Sequence, residues 1–227
     1  MIRTLILSLT WLIVNLSCLN AQEAGQETDL PLQLSISHGT QDALVIYVTG
    51  DGGWNSFNQH VVHEMEQKNY GVVALNSRKY FWSQKSPEQF VRDIELLSDY
   101  YLKSWNKSGV ILVGYSFGAD VVSFLPNGLS DEYQRKIRRV VLISPSASTD
   151  FVIRLSDLVA ESENMNRRYQ VRPEIEKSGL PLLCTFGKDE EKALKNGFDL
   201  KKKVTVTILP GDHRYNNDFG LLIKTIF

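Results

Sequence analysis

The segment Gly114-Tyr115-Ser116-Phe117-Gly118 constrains the fold more than any other part of the sequence. It follows the apolar run Val110–Val113 and precedes a helical pattern, which is the context of a G-x-S-x-G turn between a buried strand and a helix. The glycines let the strand and helix backbones approach, and the turn holds its serine in a strained conformation. We therefore predict that Ser116 is a nucleophile at the carboxyl edge of a β-sheet.

The rest of the chain alternates short β-rich runs with longer helical patterns. This alternation predicts a mostly parallel sheet with helices on both faces, the three-layer α/β architecture of the α/β-hydrolase fold. The helix over Pro87–Trp105 has the clearest signals, because Ser86 suits the N-cap and apolar residues recur every three or four positions. The other predicted elements are strands at Leu32–Ser37, Ala43–Thr49, Val72–Leu75, Val110–Val113, Val140–Ile143, Leu182–Phe186 and Val204–Leu209, and helices at Phe57–Lys68, Gly118–Leu125, Asp131–Ile137, Glu190–Asn196 and Asp218–Ile226.

The N-terminus has the layout of a secretory signal peptide. Arg3 precedes the apolar run Leu5–Leu16, which is too short to span a bilayer. We predict a signal peptide over residues 1–21, cut after Ala21, and export to the periplasm. Lipoprotein processing at Cys18 is the alternative, and it would leave the protein anchored to a membrane by lipid.

Composition indicates one globular domain. The formal net charge of −1 does not favour nucleic-acid binding, and 43% hydrophobic with 22% charged residues excludes bulk disorder. Two cysteines are too few for a disulfide scaffold or a four-cysteine zinc site, and only Cys184 remains after cleavage. We predict a flexible lead-in over residues 22–29 and a single domain over residues 30–227, without a cofactor.

A histidine partner for the serine follows from chain order. In this fold the catalytic residues run serine, acid, histidine, and of four histidines only His213 follows Ser116. His213 comes just after the last predicted strand, where a loop would bring its imidazole over the serine. Its expected role is to take the serine proton and return it to the leaving group.

The acid should follow the strand Leu182–Phe186, where the sequence reads Gly187-Lys188-Asp189-Glu190-Glu191. Asp189 is the first choice, because a short side chain suits a position directly after a strand. Glu190 is the second choice, and the residues alone leave both open. Either carboxylate would orient the imidazole and stabilise its protonated form.

Backbone donors for a developing oxyanion are predicted at two loops. The loop Gly50–Trp54 follows the strand Ala43–Thr49, and we assign one N–H to Asp51. The residue after the nucleophile, Phe117, supplies the other. The glycine loop is not predicted to cradle a phosphate with its backbone in the manner of a P-loop, because no Gly-Lys-Ser/Thr follows it.

Three consecutive aromatic residues, Tyr80-Phe81-Trp82, follow the strand Val72–Leu75 and have two interpretations. They would either line an acyl or headgroup pocket or pack on the core. The candidate pocket residues are Gly52, Trp54, Tyr80, Phe81, Trp82 and Tyr115.

Two further features carry weaker signals. His60 and His63, one turn apart beside Glu64, could bind a metal, but a solvent-facing helix surface is favoured and no metal site is predicted. Lys201–Lys203 is typical of a solvated turn, with attraction to phospholipid as the alternative.

Four segments together resemble the VirJ/AcvB family of bacterial virulence proteins. The resemblance implies a periplasmic α/β-hydrolase, linked in some bacteria to type IV secretion, with members that hydrolyse aminoacylated phosphatidylglycerol such as the lysyl form. It maps the active serine and histidine onto Ser116 and His213. The chain departs from the family at Asp212 and Arg214, where a second glycine and a second histidine are common, and this bears on substrate preference. The segments are Thr49-Gly50-Asp51-Gly52-Gly53-Trp54, Arg78-Lys79-Tyr80-Phe81-Trp82 with Ser86-Pro87-Glu88-Gln89, Gly114–Val121 and Leu209-Pro210-Gly211-Asp212-His213.

The leading hypothesis is an exported serine hydrolase that cleaves a small-molecule or lipid ester, with the aminoacyl ester of a phospholipid headgroup as its substrate. One alternative is a non-catalytic accessory protein that binds type IV secretion or other periplasmic proteins. Another is a general carboxylesterase or lipase. Peripheral contact with a membrane is compatible with each of them.

Overall fold

The computed structural model describes residues 29–36, 41–154, 167–190 and 204–227. The predicted signal peptide, Cys18, most of the lead-in and Lys201–Lys203 lie outside the described residues. The helix predicted over Glu190–Asn196 also falls outside them, apart from Glu190 itself.

The strands of the described part are β1 Leu32–Ser35, β2 Ala43–Val48, β3 Val72–Leu75, β4 Gly109–Tyr115, β5 Ile137–Ile143, β6 Ser148–Thr149, β7 Tyr169–Gln170, β8 Leu182–Gly187 and β9 Val204–Leu209. Seven of them form the main sheet in the order β1-β3-β2-β4-β5-β8-β9. β1 is antiparallel to β3 and every other neighbouring pair is parallel, so the carboxyl ends of the parallel strands meet at one edge. All seven predicted strands are present, and two short strands form a separate pair.

Helices occupy most of the connections between these strands. Two of the helices, Ser77–Tyr80 and Val171–Lys177, have no counterpart in the predicted elements, because each is only one or two turns long. The predicted helix Gly118–Leu125 corresponds to Phe117–Val122 and ends earlier than expected, and the next helix, Leu125–Gly128, shares only Leu125 with it. The helices are α1 Ser56–Gln67, α2 Ser77–Tyr80, α3 Pro87–Ser104, α4 Phe117–Val122, α5 Leu125–Gly128, α6 Asp131–Lys136, α7 Val171–Lys177 and α8 Phe219–Ile226, with a 3-10 turn at Tyr215–Asn217.

The sheet buries apolar side chains on both faces. Along β2, Leu44, Ile46 and Val48 belong to one apolar cluster, while Val45 and Tyr47 belong to the other, as the alternation of a strand requires. Helices α3, α4, α5 and α7 cover the first face, and α1 and α8 cover the second. The predicted α/β architecture, a mostly parallel sheet between two helical layers, is confirmed.

Helix α3 shows how local signals and burial combine. It begins at Pro87, and the Ser86 side chain accepts a hydrogen bond from the Gln89 N–H at 3.2 Å, as expected for an N-cap. Its apolar stripe faces the sheet, where Leu97 is fully buried, whereas Leu96 on the outer side is 63% exposed.

This contrast gives a prediction for the stability of the core. Leu97→Ala should lower the free energy of unfolding by about 2–5 kcal/mol, because it removes buried apolar surface and leaves a cavity. Leu96→Ala, a matched change one residue away, should stay within about 0.5 kcal/mol of wild type. Urea unfolding followed by circular dichroism measures both, and equal losses would contradict the packing described here.

Candidate active site

Ser116 lies in a sharp turn between β4 and α4. Its backbone has φ 54° and ψ −123°, a region that residues other than glycine rarely adopt. The Ser116 N–H donates to the Ile143 carbonyl of the neighbouring strand at 2.8 Å, which fixes the turn against the sheet. The strand–turn–helix predicted from the G-x-S-x-G pattern is therefore present, with its serine at the carboxyl edge.

Close backbone approach explains both glycines of this turn. A Cβ atom at Gly114 would lie 2.3 Å from the Gly118 carbonyl oxygen. A Cβ atom at Gly118 would lie 2.1 Å from the Val48 carbonyl oxygen at the end of β2. Only glycine allows α4 to begin directly against β4 and β2, and this contact holds Ser116 in place.

His213 contacts the serine from the loop after β9. Its Nε2 lies 3.0 Å from Ser116 Oγ, and its imidazole lies over the Tyr115 ring with the centroids 5.2 Å apart. The Tyr115 hydroxyl donates to the His213 carbonyl oxygen at 3.1 Å, which anchors the loop. The sequence order predicted this residue, and the structure brings it within hydrogen-bonding distance of the serine.

Glu190, rather than Asp189, is the carboxylate beside the histidine. Glu190 Oε2 lies 3.1 Å from His213 Nδ1, and the Glu190 side chain is 2% exposed. Asp189, the first choice from sequence, is exposed to solvent.

The turn after β8 gives the reason for this correction. The Glu190 N–H donates to the Gly187 carbonyl oxygen at 3.2 Å, so residues 187–190 fold back on the strand end. Asp189 occupies the outer side of that turn and its N–H is bonded to the Gly211 carbonyl oxygen at 2.9 Å. The next residue points inward, and the longer glutamate side chain reaches the imidazole.

The Glu190 carboxylate is ionised despite its burial. Burial acts to raise the pKa of Glu190, but hydrogen bonds from His213, Ser144 and the Gly187 N–H together outweigh it and hold the pKa below the ordinary glutamate value. Ser144 Oγ and the Gly187 N–H both donate to Oε1 at 2.6 Å, which leaves Oε2 for the imidazole. With a proton on Nδ1 facing this carboxylate, Nε2 of His213 is free to accept the serine hydrogen.

Ser144 and Tyr215 complete the site, and sequence reasoning missed both. Ser144 follows β5 with φ 52° and is fully buried. Its hydroxyl oxygen lies 2.6 Å from the Tyr215 hydroxyl, which in turn donates to the Thr185 carbonyl oxygen at 3.1 Å. The position of Ser144 directly after a central parallel strand was the one available signal, since such positions meet at the carboxyl edge.

The two predicted oxyanion donors lie on elements next to Ser116. Phe117 is the first residue of α4, where a helix leaves its N–H groups without intrahelical acceptors. Asp51 follows Gly50, and a Cβ atom at Gly50 would lie 3.4 Å from Ser116 Cβ. The Asp51 carboxylate accepts a hydrogen bond from the Gly52 N–H at 2.8 Å.

The predicted pocket residues divide between the core and a surface groove. Tyr80 and Phe81 are buried, at 5% and 0% exposure, and do not line the groove, which corrects their assignment. Phe81 packs edge-on against Phe117 with ring centroids 5.1 Å apart, and the Tyr80 hydroxyl bonds to Asp93. Apolar packing decides their placement, because helix α2 ends at Tyr80 and turns both rings towards α3.

An open groove of about 570 Å³ lies beside the glycine loop. Trp82, at 55% exposure, lines it on one side. Tyr115 is not among its lining residues and lies against His213 instead. The full lining is Gly52, Gly53, Trp54, Asn76, Arg78, Lys79 and Trp82.

Among the described residues, the histidine pair on α1 belongs to no metal-binding cluster. His60 Nδ1 lies 2.7 Å from the Ser56 carbonyl oxygen, and His63 Nδ1 lies 3.5 Å from Glu66 Oε2. Within residues 29–36, 41–154, 167–190 and 204–227 no three potential ligands come together. Across the same ranges no helix is long and apolar enough to cross a membrane.

Comparison with known protein families matches most of the chain. Residues 42–227 match the family described as "VirJ: Bacterial virulence protein (VirJ)". A search of curated proteins finds no match.

Several solved structures share the fold. Est1E from Butyrivibrio proteoclasticus, with bound ferulic acid, has 15% identity and a TM-score of 0.62 over 87% of this chain and 92% of its own. A lipase-esterase related protein from Clostridium acetobutylicum has 13% identity and a TM-score of 0.58 over 87% and 99%. The thioesterase domain from the curacin biosynthetic pathway has 12% identity and a TM-score of 0.56 over 88% and 99%. The fold of this chain is accordingly that of the α/β-hydrolases.

The contact at Gly118 gives a second prediction. Gly118→Ala should lower the free energy of unfolding by at least about 2 kcal/mol, because the added methyl group meets backbone that cannot move aside. Gly220→Ala in α8, where the nearest atom to an added Cβ is 3.8 Å away, should be neutral or stabilising by up to about 1 kcal/mol. Thermal and urea unfolding of both variants provide the measurement; a Gly118→Ala protein as stable as wild type would refute the close approach.

Proposed function

Because the chain belongs to the VirJ family of bacterial virulence proteins and has the α/β-hydrolase fold, we propose that it is a serine hydrolase of ester bonds. The observation that carries this proposal is the unbroken line of polar contacts from Ser116 through His213 to Glu190. The two distances, 3.0 Å and 3.1 Å, suit proton transfer between serine and imidazole and charge stabilisation by the carboxylate.

The reaction begins with attack of Ser116 Oγ on the carbonyl carbon of the ester. His213 Nε2 takes the serine proton as the Oγ–carbon bond forms, and the buried Glu190 carboxylate stabilises the resulting imidazolium. The negative charge on the former carbonyl oxygen is accepted by the backbone N–H groups of Phe117 and Asp51.

Collapse of this intermediate breaks the ester bond. His213 gives its proton to the departing alcohol, and Ser116 is left as an acyl ester. Water then attacks the acyl carbon while His213 again takes a proton, and the second collapse releases the acid and restores the serine hydroxyl. Because His213 Nε2 already contacts Ser116 Oγ, the proton transfer of the first step needs no rearrangement of these two side chains.

The substrate we propose is the aminoacyl ester of aminoacyl-phosphatidylglycerol, of the lysyl type. Support comes from the motifs shared with the VirJ/AcvB family, including the segment Arg78–Trp82 beside the groove. We place the reaction in the periplasm, on the basis of the signal-peptide pattern of residues 1–21. A lipid anchor at Cys18 would hold the active site next to its lipid substrate.

A second candidate is a non-catalytic accessory role in type IV secretion, which the family's description as virulence proteins favours. Full restoration of a deletion phenotype by both Ser116→Ala and His213→Ala would select that role. Comparison of the lipids of deletion and complemented strains separates the aminoacyl-lipid hydrolase from a general carboxylesterase or lipase.

Covalent labelling tests the proposed nucleophile. Wild-type protein should react with a fluorophosphonate probe, and Ser116→Ala should reduce labelling at least about 100-fold because it removes the attacking oxygen. Ser104→Ala, which changes an exposed serine at the end of α3, is the matched control and should label like wild type. Absence of serine-dependent labelling in folded wild-type protein would contradict the hydrolase proposal.

The identity of the acid gives a separate prediction. Glu190→Gln should lower kcat for a chromogenic ester by about 100- to 10,000-fold, since the amide cannot stabilise a protonated His213. Asp189→Asn should change kcat by less than about threefold, because Asp189 faces solvent. Steady-state kinetics distinguish the two, and a larger loss in Asp189→Asn would assign the role to Asp189.

A further inference from the structure

The groove lined by Arg78, Lys79 and Trp82 is not used by the catalytic steps described above. We propose that it is a subsite for an anionic, phosphate-type group on the alcohol half of the ester that Ser116 attacks. This inference rests on the proposed hydrolase function and specifies the class of substrate that the site accepts.

The first support is a pair of cations without acidic partners. Arg78 and Lys79 are exposed, and neither side chain forms an ion pair or a hydrogen bond within the described ranges of the chain. By contrast, Lys136 and Lys177 each contact carboxylates at about 3 Å. Two adjacent, uncompensated cations create a positive potential in the groove that favours an anion.

The second argument is that Arg78 and Lys79 project from an anchored segment of backbone. The Ser77 N–H donates to Thr49 Oγ1 at 3.0 Å and Ser77 Oγ donates to the Thr49 carbonyl oxygen at 2.6 Å, which joins α2 to the end of β2. Tyr80, at the other end of α2, is buried in the core. Arg78 and Lys79 therefore project from a short turn whose two ends are anchored, so that binding an anion would not require the backbone to be ordered first.

A third support is the amide of Asn76, which lines the groove and is only 8% exposed. Its Oδ1 accepts the Lys79 N–H at 3.3 Å as the cap of α2. Its Nδ2 has no acceptor in the described part of the chain and is available as a donor to a bound oxygen anion. Arg78, with its planar fork of N–H donors, matches the oxygens of a phosphate.

The groove is linked directly to the nucleophile. Gly53 lines it, and a Cβ atom at Gly53 would lie 2.8 Å from Arg78 Cβ. The Gly53 N–H donates to the Gly50 carbonyl oxygen at 2.9 Å, and Gly50 lies against Ser116. One loop thus contacts both Arg78 and the serine, which places the groove next to the position where the ester is attacked.

The charge of the groove also decides which half of an aminoacyl ester it can hold. Its described lining contains two cations, two tryptophans and no carboxylate, so an aminoacyl ammonium group would be repelled there. The phosphate of the alcohol half is attracted, and Trp54 and Trp82 offer apolar faces to the glycerol carbons beside it. The same chemistry is found in a phospholipid headgroup and in a soluble phosphate ester.

Two butyryl esters that differ only by a phosphate group test the subsite. Butyryl-glycerol is neutral and butyryl-glycerol phosphate carries the anion, and released butyrate measures kcat/KM for each. For Arg78→Gln/Lys79→Gln, the ratio of kcat/KM for the phosphate ester to that for the neutral ester should fall at least about tenfold, mainly through KM. Lys68→Gln/Lys103→Gln removes the same charge from exposed positions near the opposite edge of the sheet and should leave the ratio unchanged.

Binding provides a readout that does not depend on turnover. Calorimetry with glycerol phosphate should show binding to Ser116→Ala, and the same variant carrying Arg78→Gln and Lys79→Gln should bind at least about tenfold more weakly. Sedimentation with vesicles of phosphatidylglycerol in phosphatidylcholine, against phosphatidylcholine alone, shows whether a headgroup in a bilayer is bound as well or instead.

The outcomes separate the two proposals. Binding that depends on Arg78 and Lys79, without hydrolysis of either ester, would support the anion subsite and reject the hydrolase function. Hydrolysis of both esters with an unchanged ratio in the double variant, and no binding to glycerol phosphate or to phosphatidylglycerol vesicles, would overturn the subsite and keep the hydrolase.

Discussion

The close approach of backbone around Gly118 is the constraint on which the rest of the site depends. A helix that starts against the carbonyl of Val48 forces the preceding residue, Ser116, into a turn with positive φ. The serine is then held at the carboxyl edge of β4, in the middle of a parallel sheet. Because parallel strands end at this same edge, the segments that follow β2, β5, β8 and β9 lie on the same side of the sheet as the serine.

The buried carboxylate of Glu190 ties three of those segments together. Burial of a charge opposes folding unless the charge receives hydrogen bonds, and here donors come from Ser144 after β5, Gly187 at the end of β8 and His213 after β9. The same bonds that stabilise the ionised form also set the orientation of the imidazole. The hydrogen bonds that compensate the buried charge are therefore also the ones that align Glu190, His213 and Ser116.

The net charge of the protein does not describe the charge of the surface beside Ser116, His213 and Glu190. The whole sequence has a formal charge of −1, yet the groove next to the glycine loop presents Arg78 and Lys79 with no carboxylate in its described lining. Local charge decides what a binding surface attracts, because exposed charges further away than about 10 Å are screened by salt. A fold by itself does not specify a substrate, so the chemistry of such local features has to be considered separately from the scaffold.

The sequence by itself determined the layered fold, and it identified Ser116 from a local motif and His213 from its order in the chain. Apolar runs and helical periodicity depend on neighbouring residues, so the sequence predicts the strands and helices directly. The glycines around Ser116 indicate a close backbone contact. The chain order of catalytic residues in this fold leaves only His213 as the histidine. Tertiary structure alone decided between Asp189 and Glu190, because a turn of four residues determines which side chain points inward. It also decided that Tyr80 and Phe81 are buried and that Ser144 lies beside Glu190. The partners of these side chains are far away in sequence, and only the packed sheet brings them together.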